Sequence, residues 1–289
     1  MSAQQTSPSD DHAPGFRAIR FNIDWITRPL FGIILGVITL GMVIYGAGAA
    51  ALFFGLGLIL AALEWHRCVG EGADHLPEVA VTAATIGVCE SVMLSDGFWA
   101  ALFVVAVGTA ASLVLSLRYS KHPYWQAAGT PYLALPALSL VALCAAPHGS
   151  LIVIGLLLIV WATDTGALIC GNLIGGLRLA PKLSPGKTWA GTIGGSVLAA
   201  LVFAFYIGNF LGGSMLPALA FGFFFSFIAH GGDLAESLVK RRFGIKNSGS
   251  LIPGHGGVLD RLDSTLAAAP VLALLVFAAH FDPLFGVHA

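Results

Sequence analysis

The chain has 289 residues, of which 57% are hydrophobic and only 10% are charged, and its formal net charge at pH 7 is −1. Because soluble domains carry about 25% charged residues, this composition excludes a water-soluble fold and predicts an all-α, polytopic membrane protein. The four cysteines are scattered without a CxxC pair, so the sequence suggests neither a zinc site nor a disulfide framework.

The apolar runs of the chain predict about nine transmembrane helices. Residues 1–27 are polar, and we interpret them as a disordered cytoplasmic tail. A spanning helix needs about 20 mostly apolar residues. The predicted spans, with the first long run divided near Gly46, are 29–46, 47–64, 78–95, 98–117, 131–147, 150–175, 190–211, 214–236 and 262–281.

The basic residues support this count and give an orientation. All 14 lysines and arginines precede the first span or follow the second, fourth, sixth and eighth spans, and the loops on the other side have none. The positive-inside rule makes the basic side cytoplasmic, so the N-terminus is predicted inside. Gly191 and Gly195 form a GxxxG pair, which allows close helix contact but does not by itself define a dimer face.

Polar residues are concentrated at the end of the eighth predicted span. Asp233 and Glu236 lie on one helical face, which Ser237 and Lys240 continue. Acids at membrane depth are unfavourable and tend to mark function. Two acids beside Lys240 and Arg241 indicate a site for a cation and an anion together, whereas a salt-bridged helix end is the alternative.

The loop after the eighth span is rich in glycine and ends in two acids. Glycines such as Gly256 and Gly257 let backbone N–H groups approach phosphate oxygens, and a flexible connector is the alternative. Asp260 and Asp263 are spaced i, i+3, so both carboxylates can point the same way. Such a pair suits Mg²⁺, which bridges carboxylates to substrate phosphates. Asp263 has a second interpretation, as a helix-start acid interacting with the helix dipole.

A further acid and a basic loop lie around the sixth predicted span. Asp164 is inside the apolar run, where an unpaired carboxylate is unfavourable, so a metal, a buried cation or a structural hydrogen bond is expected. The next loop places Ser184, Lys187 and Thr188 around a Pro-Gly turn that could bind phosphates. The alternative is that its lysines only mark the cytoplasmic side of the membrane. A P-loop is rejected because Pro181 stands where the first glycine of a Walker A motif is required.

These motifs together resemble those of the phosphatidate cytidylyltransferase (CDP-diacylglycerol synthase) family. Stretches 164–167, 180–189 and 232–236 look like family segments, and the resemblance covers about 160–265. The signature itself lies in 237–263. Its matching residues are Ser237, Lys240, Arg241, Lys246, Gly249, Pro253, His255, Gly256, Gly257, Asp260, Arg261 and Asp263.

The resemblance implies transfer of CMP from CTP to phosphatidic acid, giving CDP-diacylglycerol and pyrophosphate, with Mg²⁺ as cofactor. It places the active site at the cytoplasmic face of a bacterial inner membrane, among membrane lipids, in a homodimer that binds no nucleic acid. It divides the chain into an N-terminal transmembrane region, 28–147, and a C-terminal transmembrane catalytic region, 148–289. Asn247 departs from the family pattern, which has Asp at this position. We expect this difference to affect substrate affinity more than the class of reaction.

The resemblance also implies roles for individual residues. The expected metal ligands are Asp260, Asp233, Asp164 and Asp263. The expected catalytic residues are Asp260, Asp233, Lys240, Arg241 and His255. The expected substrate-binding residues are Ser184, Lys187, Thr188, Ser237, Lys246, Gly256, Gly257 and Arg261.

Two other classes of function compete with this interpretation. A CTP-dependent kinase of a lipid alcohol, such as a polyprenol or phytol kinase, has a similar broad architecture, but the full 237–263 pattern argues against it. An ion-coupled transporter would use Asp164 and Asp233 in a water path, yet the predicted outer loops are short and carry no lysine or arginine.

Overall fold

The computed structural model describes residues 24–70, 75–245, 247–249 and 256–285, with side-chain surroundings from residue 32 onward. Within these residues nine α-helices follow one another, and a short β-hairpin separates the sixth from the seventh. The helices are α1 (Asp24–Tyr45), α2 (Ala47–Val69), α3 (Leu76–Ser95), α4 (Phe98–Tyr119), α5 (Pro123–Ala145), α6 (Gly149–Leu173), α7 (Trp189–Phe205), α8 (Met215–Arg242) and α9 (Leu259–Phe277). The hairpin consists of β1 (Arg178–Ala180) and β2 (Ser184–Thr188), and a π-helical turn, Tyr206–Phe210, continues α7.

Seven of the described helices are long and apolar enough to cross a membrane: α2 to α8, with the π-helical turn included in α7. The prediction of a helical, polytopic membrane protein is therefore confirmed. The predicted break near Gly46 is also present, because α1 ends at Tyr45 and α2 begins at Ala47. Gly46 has a φ of 128°, which glycine adopts readily and other residues rarely do.

The start of the fifth predicted span, at 131, is wrong, because α5 already begins at Pro123. Proline suits the first helical turn since it has no N–H to leave unpaired. The following turns contain polar residues that hid the helix from the hydropathy pattern, and these residues bond to neighbouring helices. Gln126 is paired with His66 at 2.5 Å, and Thr130 with Thr82 at 2.8 Å.

The all-α prediction needs one local correction between α6 and α7. The basic loop that contains the Pro-Gly turn forms two antiparallel strands, with Arg178 opposite Thr188 and Ala180 opposite Ser184. Backbone pairing satisfies N–H and C=O groups that an irregular loop beside a membrane would leave open. The hairpin therefore gives the loop a defined shape before α7 begins.

The helices surround two hydrophobic cores, and α9 touches both. One core lies mainly among α6 to α9 and includes Leu156, Phe203 and Leu272. The other lies mainly among α2 to α5, and Leu259 and Leu266 of α9 contribute to it. Because α9 packs against α2, α5, α6 and α8, it joins the N-terminal helices to the C-terminal ones.

Helices α6 and α7 approach each other through glycines. A Cβ atom at Gly166 would lie 2.9 Å from Cα of Gly195, and one at Gly191 would lie 2.8 Å from the carbonyl oxygen of Ala167. Real Cβ atoms essentially never come this close, so the contact depends on hydrogen in place of a side chain. The GxxxG pair is thus used within the chain, against α6.

Candidate active site

Four acids from three helices line one cavity of about 330 Å³. Asp164 comes from α6, Asp233 from α8, and both Asp260 and Asp263 from the first turns of α9. The remaining polar and glycine residues of the lining come from the hairpin, α7, α8 and α9. They are Gly186, Lys187, Thr188, Gly191, Thr192, His230 and Arg261. The cavity lining thus brings together motif residues that are far apart in the sequence.

The closeness of α8 and α9 brings two of these acids together. Gly232 directly precedes Asp233, and a Cβ atom there would collide with the carbonyl oxygen of Asp263 and lie 2.8 Å from Cβ of Ala267. A larger residue would therefore hold the two helices apart. Across the cavity, Asp164 is within 3.5 Å of the hydroxyl of Ser264, the residue after Asp263.

The hairpin contributes a cation and a helix cap. Nζ of Lys187 lies 2.5 Å from a carboxylate oxygen of Asp233, and both side chains are partly exposed to the cavity. Thr188 is the N-cap of α7, where its hydroxyl accepts the N–H of Gly191 at 3.0 Å. Capping side chains of this kind satisfy backbone donors that the first helical turn leaves free. Because the cap fixes the junction between β2 and α7, it also fixes the backbone of the neighbouring Lys187.

Asp260 is surrounded by hydrogen-bond donors. It accepts Nζ of Lys240 at 2.8 Å and the backbone N–H groups of Gly257 at 3.0 Å and Ser248 at 3.2 Å. Lys240 also lies 3.3 Å from Glu236, one turn earlier on α8. Bonds between charged partners are short and strong. Asp260 therefore holds the described ends of the glycine-rich loop against α8.

Other residues of the predicted site lie around this cavity rather than in its lining. Ser237 is within 3.4 Å of Asp233, and Ser184 is half-buried on β2. The exposed Arg241 donates Nε to the carbonyl oxygen of Leu183 at 3.1 Å, which ties the hairpin to the end of α8. Lys246 and His255 lie outside the described residues, so their roles stay predictions.

Sequence reasoning missed His230 and the position of Glu64. His230 is three residues before Asp233 on α8, lines the cavity, and places Nε2 3.2 Å from the carbonyl oxygen of Thr192. The i, i+3 spacing from Asp233 was the available signal. Glu64, near the end of α2, is buried against Gly249 and Gly257 of the glycine-rich loop.

A family model described as the cytidylyltransferase family matches residues 26–279. The chain belongs to the cytidylyltransferase family. Its similarity to two named members extends along most of their length. It is 37% identical over 250 residues to the phosphatidate cytidylyltransferase of Brucella suis biovar 1 (strain 1330), covering 86% of this chain and 92% of that protein. It is 38% identical over 240 residues to the phosphatidate cytidylyltransferase of Pseudomonas aeruginosa (strain PAO1), covering 79% and 88%.

A shorter match of higher identity is found with the phosphatidate cytidylyltransferase of Haemophilus influenzae. The identity is 43% over 135 residues, covering 45% of this chain and 47% of that protein. The family resemblance read from the motifs is confirmed, and so is the interpretation of this cytidylyltransferase as a nucleotidyl-transferring enzyme.

The charge of the cavity is suited to an added cation. Four carboxylates face Lys187 and Arg261, so acids outnumber the permanently charged bases in the lining. Among the residues that the structure describes, no three His, Cys, Asp or Glu side chains are arranged to hold a metal ion by themselves. Mg²⁺ is often held by one or two carboxylates together with waters and substrate phosphates. The lining of this cytidylyltransferase fits that manner of binding.

Proposed function

We propose that this cytidylyltransferase transfers CMP from CTP to phosphatidic acid, giving CDP-diacylglycerol and pyrophosphate. The observation that carries the proposal is the convergence of Asp164, Asp233, Asp260 and Asp263 with Lys187 and Arg261 in one cavity. The names of the relatives at 37% and 38% identity support the same substrates.

The reaction joins two anions, and the cavity has the groups that this requires. A phosphate oxygen of the lipid attacks the α-phosphorus of CTP, the bond from that phosphorus to the β-phosphate oxygen breaks, and pyrophosphate leaves. The attacking phosphate is already ionised, so a strong general base is not needed. Lys187, Lys240 and Arg261 would neutralise phosphate charge, and the surrounding helices would fix the geometry.

Mg²⁺ is the cofactor that we propose, held by Asp233, Asp164 and Asp263 together with the substrate phosphates. When bound, it would offset the negative charge of the nucleotide phosphates. Asp260 belongs to the same predicted ligand set, but Lys240 and two backbone N–H groups already engage its oxygens. Its carboxylate would therefore combine any contact with the ion with the task of shaping the loop.

The remaining polar groups of the predicted site would bind phosphates around this centre. We assign Ser184, Thr188 and Ser237 to hydroxyl contacts and the backbone of Gly256 and Gly257 to N–H contacts. We assign Lys246 and Arg241 to phosphate contacts, and His255 to holding the loop or contacting a phosphate. The acyl chains would stay in the bilayer while CTP arrives from the cytoplasm.

The proposed topology has nine spans with the N-terminus in the cytoplasm. It adds α1 and α9 to the seven helices that meet the length and apolarity of a span. The support for it is the placement of all 14 lysines and arginines on one side of a nine-span chain. We place the enzyme in a bacterial inner membrane, with the cavity facing the cytoplasm and homodimers as the expected assembly.

A radiolabel experiment with purified protein in detergent tests the reaction. With CTP labelled at the α-phosphate, we expect labelled lipid that depends on phosphatidic acid and on Mg²⁺. With the label at the γ-phosphate, we expect labelled pyrophosphate and unlabelled lipid. Lipid labelled from the γ-phosphate, formed on a lipid alcohol, would instead identify a kinase. Absence of any CTP-dependent lipid product would remove the enzymatic proposal and favour a transporter.

The Asp260→Asn variant tests the assignment of the cavity to this reaction. We expect turnover to fall at least about 100-fold at every Mg²⁺ concentration. The substitution weakens the bond from Lys240 to residue 260 and the hydrogen bonds that hold the loop. The variant should still elute from a size-exclusion column at the volume of the unaltered protein, which shows that it is folded. Full turnover by this variant would remove Asp260 from the catalytic assignment.

A further inference from the structure

Glu64, in the N-terminal half of the chain, lies against the start of α9. Its side chain is near the end of α2 and is only 1% exposed. Oε2 accepts the backbone N–H of Leu259, the first residue of α9, at 2.9 Å. The hydroxyl of Ser248 lies 3.4 Å from the same oxygen. The carboxylate therefore sits at the N-terminus of the helix that carries Asp260 and Asp263.

A carboxylate at this position takes over the task of a missing cap. The first N–H groups of any helix lack partners within the helix, and a Ser, Thr, Asp or Asn at the N-cap usually supplies an acceptor. In α9 the N-cap is Val258, which makes no side-chain cap bond. A negative charge at this end is also favoured by the helix dipole. Glu64 thus supplies from another helix what the local sequence does not.

The glycine-rich loop is pressed directly onto this carboxylate. A Cβ atom at Gly257 would lie 2.5 Å from Oε2 of Glu64, and one at Gly249 would collide with Oε1. On its other side the loop is bonded to Asp260 through the N–H groups of Ser248 and Gly257. The described parts of the loop are therefore held between two carboxylates, one from each half of the chain.

The end of α2 is itself fixed in place. The indole N–H of Trp65 donates to the carbonyl oxygen of Trp125 at 3.1 Å, and its ring is 4.8 Å from that of Tyr132. Gly129 lies so close to the Trp65 ring that a Cβ atom there would collide with it. Because α5 holds α2 in this way, Glu64 has little freedom to move away from α9.

We infer that Glu64 is a positioning residue, which caps α9 and thereby sets the placement of Asp260 and Asp263 in the cavity. Its hydrogen bonds to described residues go to the loop and to the helix start, so it acts on the cavity through them. The cap is a property of the fold alone, whereas its effect on turnover rests on the proposed function.

The test compares variants that keep or remove the acceptor. Glu64→Gln retains an oxygen that can accept the N–H of Leu259, and Glu64→Met has a similar size without a strong acceptor. Glu90→Gln and Glu90→Met are matched controls, since Glu90 is also buried in the N-terminal half and faces Gly55 of α2. Hydrogen–deuterium exchange of peptides covering 256–263 is measured on the full chain in detergent, together with kcat and KM for CTP.

For Glu64→Met we expect about tenfold faster exchange at 256–263, which is the range that loss of a helix cap produces. We expect kcat to fall at least about tenfold, with KM for CTP changed less than about threefold, because reacting groups are displaced rather than removed. Glu64→Gln should restore both readings to within about threefold of the unaltered protein. The Glu90 variants should leave exchange at 256–263 unchanged.

Several outcomes would overturn the inference. If exchange at 256–263 is unchanged in Glu64→Met, Glu64 does not cap α9, whatever the activity of the variant. If Glu64→Gln and Glu64→Met change exchange and kcat equally, the effect comes from the negative charge of Glu64 and not from its hydrogen-bond acceptor. If the Glu90 variants speed exchange at 256–263 as much as Glu64→Met does, the effect is a general loosening of the helices. If Glu64→Met does not fold, Glu64→Asp is compared with Glu64→Gln instead: it keeps the charge but withdraws the acceptor from the N–H of Leu259, and unchanged exchange at 256–263 in this variant would likewise exclude the cap. If the unaltered protein makes no CDP-lipid, the proposed function fails while the exchange measurements still decide the cap.

Discussion

At the scale of single residues, the contact between Lys187 and Asp233 links the hairpin to α8. The two charged groups are 2.5 Å apart and both line the cavity. Each one stabilises the other in a place with limited access to water, so removing either leaves an uncompensated charge. The lysine is therefore expected to affect both the resting cavity and the binding of phosphate.

Substitution of Lys187 by Met should lower kcat/KM for CTP about 100-fold or more, because a cation that offsets phosphate charge is lost. Steady-state kinetics of purified protein, with CDP-lipid formation as the readout, measures the effect. Lys182→Met is the matched control, since Lys182 is on the same hairpin loop but is exposed and outside the cavity lining. Equal losses in both variants would point to the charge of the loop rather than to Lys187.

Asp263 offers a test of the proposed metal. In Asp263→Asn we expect the Mg²⁺ concentration for half-maximal activity to rise at least about tenfold, because one ionised ligand becomes neutral. Titration of activity with Mg²⁺ after treatment with EDTA gives this concentration. Asp96→Asn, between α3 and α4 and outside the cavity lining, should match the unaltered protein. An unchanged Mg²⁺ requirement in Asp263→Asn would argue that this acid does not meet the ion.

The residues of the cavity were accessible from the sequence to different degrees. Asp260 and Lys187 stand in long, specific motifs, and an acid such as Asp164 is conspicuous in an apolar run. His230 sits in a helix whose faces were not distinguished by hydropathy, so nothing marked it as facing the cavity rather than lipid. Glu64 required knowledge of which elements touch across 195 residues, which no local pattern contains.

At the scale of helices, the spacing of α8 and α9 depends on one residue without a side chain. A Cβ atom at Gly232 would collide with the carbonyl oxygen of Asp263, whereas one at Gly231 would meet no atom of another described element within 4 Å. The two neighbouring glycines thus differ in surroundings although they share a helix. They allow the effect of crowding to be separated from that of helix propensity.

In Gly232→Ala we expect a loss of about 1–3 kcal/mol in the free energy of unfolding, since the added methyl group forces α8 away from α9. Gly231→Ala should be neutral or stabilising by up to about 1 kcal/mol, because alanine favours helix over glycine. Thermal unfolding in detergent, followed by circular dichroism, measures both. Turnover should fall with Gly232→Ala alone, as the displaced α9 carries Asp263. Equal stability of the two variants would contradict the close contact.

Helix boundaries followed the sequence wherever apolar runs were clean, and departed from it where polar groups found partners inside the protein. The start of α5 at Pro123 was hidden because Gln126 and Thr130 lower the hydropathy of its first turns, yet both bond to other helices. The hairpin between α6 and α7 was hidden for a different reason. Its strands are only three and five residues long, too short for an alternating pattern to be recognised.

At the scale of the whole molecule, the proposed nine-span topology makes a simple prediction about the two sides of the membrane. In a variant without native cysteines, Asp96→Cys should react with a membrane-impermeant maleimide added to intact spheroplasts. Lys121→Cys should react only after the membrane is opened, because the positive-inside rule places that loop in the cytoplasm. Labelling followed by gel-shift analysis measures both. Reaction of Lys121→Cys in intact spheroplasts would reverse the orientation or change the number of spans.

The bond from Glu64 to the start of α9 also bears on how the chain can be divided. A fragment beginning at residue 148 would contain all four acids of the cavity, but it would lack the acceptor for the N–H of Leu259 and half of the support for the loop. We therefore expect that the segment containing these motifs does not form an active site without the N-terminal helices. Activity from separately produced pieces should require both of them in the same membrane, assembled by complementation.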